Sequence, residues 1–297
     1  MDITSQNLRM LTTGFRGNFL AGLAAVSTMW GQFATEVPST TSEELYPWLN
    51  QIPGMRKWIG DRQIKNVSAD GYRLVNESWE DSVAVGRDAI QDDRYGVFSP
   101  LMTMLGDAAA RQPDELVFAT IPKGFTTNCF DGQFFFDTDH PVLDANGSVT
   151  SVSNTQAGAG PAWYLLDTTK ALKPFIFQNR QKPIFVAKDN PDDESVWQRK
   201  EFQYGADSRN TAGFGFWQTA FGSKAALDPA NFKAAFDAMS TFKKDYGAPL
   251  AITPNILLVS TANRSAGETI VRKANLAGGE SNLDYKRVEL VVAPWLG

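Results

Sequence analysis

The spacing of apolar residues predicts a helix near the start of the chain. Leucine and phenylalanine recur at intervals of three and four positions, with polar residues between them, at Leu8, Leu11, Phe15, Phe19 and Leu23. This spacing places the apolar side chains along one face of a helix of about three turns. That face must pack either on the core of its own domain or on a neighbouring subunit.

A densely charged segment follows, and it predicts an extended hairpin. Residues 63–68 and 72–79 form two extended runs on either side of the turn signal Ala69-Asp70-Gly71. Asp-Gly between two such runs favours a tight turn. Because the two strands carry few apolar side chains, the hairpin has little core of its own and is expected to rest on another surface.

From about residue 98 the pattern becomes helical. Pro100 suits the first turn of a helix, and apolar residues then repeat at helical spacing to about residue 120. Pro113 lies inside this segment. Because proline lacks a backbone N–H, it predicts that the helix kinks or restarts there.

Strands and loops are predicted over residues 124–222, where Phe and Trp are dense. The aromatic side chains favour a packed core, with a sugar-binding platform as the alternative. After residue 225 helix and strand alternate: a helix from Asp228 through Tyr246, a buried strand over 256–259, a helix from Thr261 to about 276, and a last strand over 288–293.

Composition limits the chemistry that this chain can carry. It has 297 residues, a net charge of −5, one cysteine and one histidine. A single cysteine excludes an intrachain disulfide, and one Cys with one His are too few for a zinc site built from those two residue types alone. The acidic balance argues against a basic nucleic-acid clamp.

Patterns typical of catalysis or metal binding are weak. Asp137, Asp139 and His140 could hold a divalent ion, but Pro141 and the preceding phenylalanines favour a turn. The sequence has no G-x-S-x-G elbow and no G-x-x-x-x-G-K-[ST] phosphate loop. The apolar stretch over 20–30 is too short and too polar to span a membrane. We therefore predict no enzymatic activity, no cofactor, no metal and no membrane partner.

Five short runs resemble the Mu-like phage and prophage major head subunits. The similarity extends over nearly the whole chain and is carried by Leu45-Tyr46-Pro47-Trp48-Leu49, Ile52-Pro53-Gly54-Met55-Arg56, Trp58-Ile59-Gly60-Asp61-Arg62, Phe136-Asp137-Thr138-Asp139-His140-Pro141 and Gly213-Phe214-Gly215-Phe216-Trp217-Gln218.

The resemblance implies an α+β chain with the Hong Kong 97-type phage capsid fold. Its expected parts are an N-terminal arm over 1–54, an extended hairpin loop over 55–95, a peripheral domain over 96–224 with a spine helix at about 98–120, and an axial domain over 225–297. Aromatic-rich strands that resemble the closing part of the peripheral domain precede the axial segment, so the order of the two domains stays open.

The resemblance also implies a major capsid protein. Many copies, in hexamers and pentamers, would form the icosahedral head of a tailed phage around double-stranded DNA. Portal, scaffold or protease, and decoration proteins would be partners, with assembly in the host cytoplasm. The alternatives are the shell of a cellular nanocompartment with the same fold, or a carbohydrate-active or carbohydrate-binding protein. The candidate assembly residues are Arg56, Arg62, Lys65, Asp70, Arg73, Glu77, Phe15 and Phe19.

Overall fold

Helices and strands are interleaved along the chain. The computed structural model describes residues 2–50, 71–92, 94–275 and 278–296. The helices in these ranges are α1 Ser5–Ala25, α2 Arg87–Gln91, α3 Ser99–Lys123, α4 Glu194–Arg199, α5 Pro229–Ser240 and α6 Arg264–Val271. The strands are β1 Ala34–Pro38, β2 Glu43–Tyr46, β3 Tyr72–Val75, β4 Glu77–Gly86, β5 His140–Leu143, β6 Val149–Val152, β7 Thr155–Gln156, β8 Trp163–Leu166, β9 Phe175–Lys188, β10 Glu201–Phe214, β11 Ala220–Ser223, β12 Ile256–Val259 and β13 Glu289–Val292. Of the helices described, none is long and apolar enough to cross a membrane.

A four-stranded sheet in the order β1-β9-β10-β4 supports the two long helices. β9 and β10 are antiparallel, 14-residue strands, and β4 pairs antiparallel to β10 from Gly86 opposite Glu201 to Glu77 opposite Asn210. β1 pairs in parallel with β9. α3 packs on β9 and β10, and α1 packs on α3 and β9. Apolar side chains from both helices and both strands form one buried cluster at this junction.

A five-stranded sheet in the order β13-β12-β8-β11-β7 forms the second layer. Its central strand β8 is buried along its whole length and pairs with both β11 and β12. β8 and β11 precede residue 224, whereas β12 and β13 follow it. The domain boundary expected at residue 224 therefore runs through a single sheet, because the central strand comes from the earlier segment.

The apolar face of α1 is buried within the chain. Phe15 meets Tyr204 edge to face, with ring centroids 5.0 Å apart, and Phe19 lies 5.5 Å from Phe185. Both phenylalanines are buried. Phe15 and Phe19, expected among the assembly residues, are thus part of the intrachain core, because α1 turns this face onto β9 and β10. The helix is also longer than predicted, at 21 residues.

α1 and α3 approach each other closely where each has a glycine. A Cβ atom on Gly22 would lie 2.0 Å from the carbonyl oxygen of Thr103, and one on Gly106 would lie 2.1 Å from the carbonyl oxygen of Phe19. No side chain fits at these separations. The two backbones can therefore meet only because glycine stands at both positions.

α3 continues through Pro113 without ending, so the predicted restart at this proline does not occur. The next residue, Asp114, is buried, and its carboxylate accepts hydrogen bonds from the backbone N–H groups of Met29 at 2.9 Å and Trp30 at 2.6 Å. Burial raises the pKa of the Asp114 carboxyl, while these N–H donors act to lower it. The carboxylate fixes the chain between α1 and β1 onto the long helix.

The second half of the predicted hairpin is strand, and it has partners among the described residues. Residues 72–75 form β3, which pairs with β2, and residues 77–86 form β4, which pairs with β10. Residues 63–68, expected to pair with them, lie outside the described residues.

Near the C-terminus the two predicted strands are confirmed as β12 and β13. The helices are shorter than predicted. α5 ends at Ser240, well before Tyr246, which adopts a left-handed backbone conformation with φ 65°. A 3-10 turn over Thr261–Asn263 precedes α6, which ends at Val271.

Gly106→Ala should destabilise the subunit, because the added methyl group overlaps the backbone of α1. We expect a loss of about 1–3 kcal/mol in the free energy of unfolding, measured by denaturant titration. Gly14→Ala is the matched control, since Gly14 lies on the exposed side of α1 with no atom near its Cβ position. The control should gain about 0.5–1 kcal/mol from helix propensity. Equal effects at the two sites would contradict the close crossing.

Asp114→Ala should loosen the connection between α1 and β1, because the N–H groups of Met29 and Trp30 lose their acceptor. Leaving buried donors unpaired costs about 1–3 kcal/mol. Hydrogen exchange at these two amides should accelerate in the variant. Asp107→Ala, which removes an exposed ion pair with Arg111 on the same helix, is the control and should leave both amides protected. Unchanged exchange in Asp114→Ala would exclude the anchoring role.

Candidate assembly surfaces

The predicted charged assembly residues are only partly placed by the structure. Arg56, Arg62, Lys65 and Asp70 lie outside the described residues. Arg73 is exposed on β3 and forms an ion pair with Glu43 of β2 at 3.2 Å. Glu77, also exposed, begins β4. The structure therefore places Arg73 and Glu77 on consecutive strands and pairs Arg73 within the chain.

β4 presents an acidic edge. Among the described residues it is the last strand of the four-stranded sheet, with β10 as its neighbour on one side. Glu77, Glu80 and Asp81 are exposed along it. Charged side chains on an edge strand discourage indiscriminate pairing with other strands, while they still attract a surface of opposite charge.

A basic row lies on β9 of the same sheet. Arg180, Lys182 and Lys188 are exposed there. The two surfaces carry opposite charge and lie on either side of β10 in the same sheet. Such a pair of patches suits contact between copies, since one copy can offer the acidic edge and the next the basic row.

The exposure of Trp197 differs from the sequence prediction. It was expected in the aromatic core, but its side chain is 88 % exposed on the short helix α4, between β9 and β10. Leu283, in the connection from α6 to β13, is equally exposed. Isolated exposed apolar residues are common, but tryptophan contributes disproportionately to protein–protein contacts. Nothing in the spacing around residue 197 distinguished it from the buried aromatics.

The accessible surface also exceeds that of a compact monomer. The chain exposes 16015 Å², whereas a folded protein of this mass is expected to expose about 12,000 Å².

The one histidine is part of a buried polar network rather than an exposed Asp-x-Asp-His cluster. His140 lies with its ring plane 10° from that of Trp217, at a centroid distance of 4.0 Å. Its Nδ1 is 2.7 Å from Asp131 Oδ2, and Asn154 Oδ1 lies 3.2 Å from its Nε2. Asp137 instead accepts hydrogen bonds from the N–H groups of its own loop, as the predicted turn requires.

Comparison with known proteins gives a single family. The family model "Mu-like prophage major head subunit gpT" matches residues 8–296. The chain is 39 % identical over 298 residues to the Mu-like prophage FluMu major head subunit of Haemophilus influenzae, covering 97 % of each chain. It is 36 % identical over 305 residues to the major capsid protein of Escherichia phage Mu, covering 100 % of each.

Solved structures give the same result. The chain in the procapsid of bacteriophage JBD30 is 45 % identical, with a TM-score of 0.88 over 99 % of this chain and 100 % of that one. The JBD30 capsid chain is 34 % identical, with a TM-score of 0.79 over 100 % of both. The predicted α+β capsid fold of the Hong Kong 97 type is thereby confirmed. The chain belongs to the family of Mu-like prophage major head subunits.

Proposed function

We propose that many copies of this protein assemble into the icosahedral head shell of a tailed phage and enclose its double-stranded DNA. The observation that carries the proposal is the likeness of the whole chain to a JBD30 procapsid chain, at a TM-score of 0.88. The role is structural, so the subunit needs no catalytic group.

The parts of the subunit follow from the same proposal. Residues 1–54 form the N-terminal arm, 55–95 the extended hairpin loop, and α3 the spine helix of a peripheral domain. The axial domain contains residues 225–297, and we extend it to β7, β8 and β11, because these strands share a sheet with β12 and β13. The hairpin loop, with Arg56, Arg62, Lys65 and Asp70, is proposed to lie across a neighbouring subunit.

Hexamers and pentamers of the subunit would close the shell, with a portal at one vertex and a scaffold or protease during assembly. A decoration protein would bind outside. Assembly would take place in the host cytoplasm, and the product is the virion head. We propose that the acidic edge of β4 and the basic row of β9 meet between copies. Each ion pair would add about 0–1 kcal/mol to the free energy of association. Repetition over the shell makes such small contributions effective.

Trp197→Ala should weaken assembly without changing the fold. Because the side chain is 88 % exposed, the thermal unfolding midpoint of the isolated subunit should stay unchanged. If Trp197 is buried between copies, the subunit concentration needed for shell formation should rise at least about tenfold. Light scattering measures this threshold. Gln198→Ala on the same helix is the control and should assemble normally. Equal thresholds for the wild type and Trp197→Ala would remove Trp197 from the interface.

The shell itself is tested by negative-stain electron microscopy of particles that contain the protein, with nuclease-protected nucleic acid assayed alongside. Uniform icosahedral shells with protected DNA are expected. Shells that hold protein cargo and no DNA would favour the nanocompartment alternative. A folded subunit that stays monomeric or dimeric together with its phage partners would contradict the proposal and direct attention to sugar binding by the aromatic residues.

A further inference from the structure

We propose that Cys129, Asp131 and His140 form a binding site for one transition-metal dication of the Zn²⁺ class. They are the one group of Cys, His and acidic side chains, within the described ranges, whose ligand atoms converge in this way: all lie within 4.8 Å of one another. The site does not depend on the shell function proposed above.

The hydrogen bonds of Asn154 determine which ring nitrogen of His140 has a lone pair free to bind a metal ion. Asn154 Nδ2 donates to the carbonyl oxygen of Phe135 at 2.8 Å, so its Oδ1 is the atom that faces His140 Nε2. Asn154 Oδ1 also accepts from the backbone N–H of Asp137. An amide oxygen can only accept, and His140 Nε2 must therefore carry a hydrogen.

In neutral His140, Nδ1 then presents its lone pair to a carboxylate. Nδ1 and Asp131 Oδ2 are both acceptors in that state, yet they lie only 2.7 Å apart. A metal ion bound by both atoms would take the place of the proton that such a pair otherwise shares. Hydrogen bonding by the second ring nitrogen to a neighbouring oxygen is also how metal-binding histidines are oriented in other proteins.

Cys129 places a sulfur atom, a third possible metal ligand, beside the same carboxylate. Its Sγ lies 3.1 Å from Asp131 Oδ1. Burial raises the pKa of the Cys129 thiol, and the neighbouring Asp131 carboxylate raises it further. Binding of a dication releases the thiol proton to solvent, and the thiolate and carboxylate together balance the charge of the metal.

The donor set selects the metal. Sulfur, imidazole nitrogen and one carboxylate oxygen are ligands typical of Zn²⁺ and its spectroscopic substitute Co²⁺, whereas Mg²⁺ and Ca²⁺ prefer oxygen alone. Zinc sites with three protein ligands complete their coordination with water.

A cavity beside Asp131 offers room for that water. It has a volume of about 360 Å³ and is also lined by Gln218. Gln218 is 8 % exposed, and its Oε1 has no hydrogen-bond partner in the structure described here. A buried acceptor without a partner in the protein suits a hydrogen bond from a water molecule.

Cobalt binding to the full chain, after removal of metals with a chelator, tests the site directly. One equivalent of Co²⁺ should produce a sulfur-to-cobalt charge-transfer absorption in the near ultraviolet, and Zn²⁺ should abolish it. Because Cys129 is the only cysteine, this band identifies the site without any variant. Absence of the band would overturn the proposal, as would failure of Zn²⁺ to compete.

A matched pair of aspartate variants tests the ligand set. Asp131→Asn should weaken Zn²⁺ binding at least about tenfold by calorimetry. Asp139→Asn, an exposed carboxylate in the Asp-x-Asp-His run, should bind as the wild type does. Zn²⁺ should also raise the thermal unfolding midpoint of the wild type, and Mg²⁺ should not. Equal weakening in both variants, or none in Asp131→Asn, would contradict this ligand set.

Discussion

The arrangement of the subunit depends on the direct contact between the backbones of α1 and α3. With Gly22 and Gly106 at the crossing, no side chain separates the two helices. This proximity brings Phe15 and Phe19 within reach of β9 and β10. Asp114 then holds the chain that leaves α1, and β1 enters the sheet beside β9. Three successive segments are thus positioned by one long helix, which is why residues 5–38 are an integral part of the folded subunit.

A well-packed interior coexists with an exposed surface that the chain cannot cover by itself. The buried aromatic cluster joins both sheets, and the large side chain of Trp197 is left in solvent. Opposite charges occur on β4 and β9, on one sheet. Burial of apolar area supplies the stability of the subunit, whereas charged patches with a few exposed apolar residues supply weak, repeatable contacts. A closed shell needs such weak contacts, because subunits that bind reversibly can still change position before the shell closes.

Much of this could be predicted from the sequence, and the failures have physical causes. The start of α1, the long helix α3 and the strands β12 and β13 follow from the periodicity of apolar residues. The pairing of the strands did not follow from the sequence, because partners such as β8 and β12 are distant along the chain. The alternation of apolar and polar residues does not identify which strand pairs with which. Trp197 was placed in the core because composition does not report exposure. Asp137 and Asp139 were the residues considered with His140, and a turn was favoured for them. Asp131 and Cys129 were missed, because nearness in sequence does not report packing.

The pairing of the strands has a consequence for how the subunit folds during its synthesis. β1 pairs with β9, with Ala34 beside Phe175, and β8 pairs with β12, which is synthesised later. A ribosome delivers the first member of each pair long before the second, and contacts that close large loops form slowly. A chain that stops after β10 holds every strand of the four-stranded sheet, but it cannot complete the five-stranded sheet, which needs β12 and β13. Synthesis from one end to the other therefore leaves the five-stranded sheet incomplete until β13 has been made.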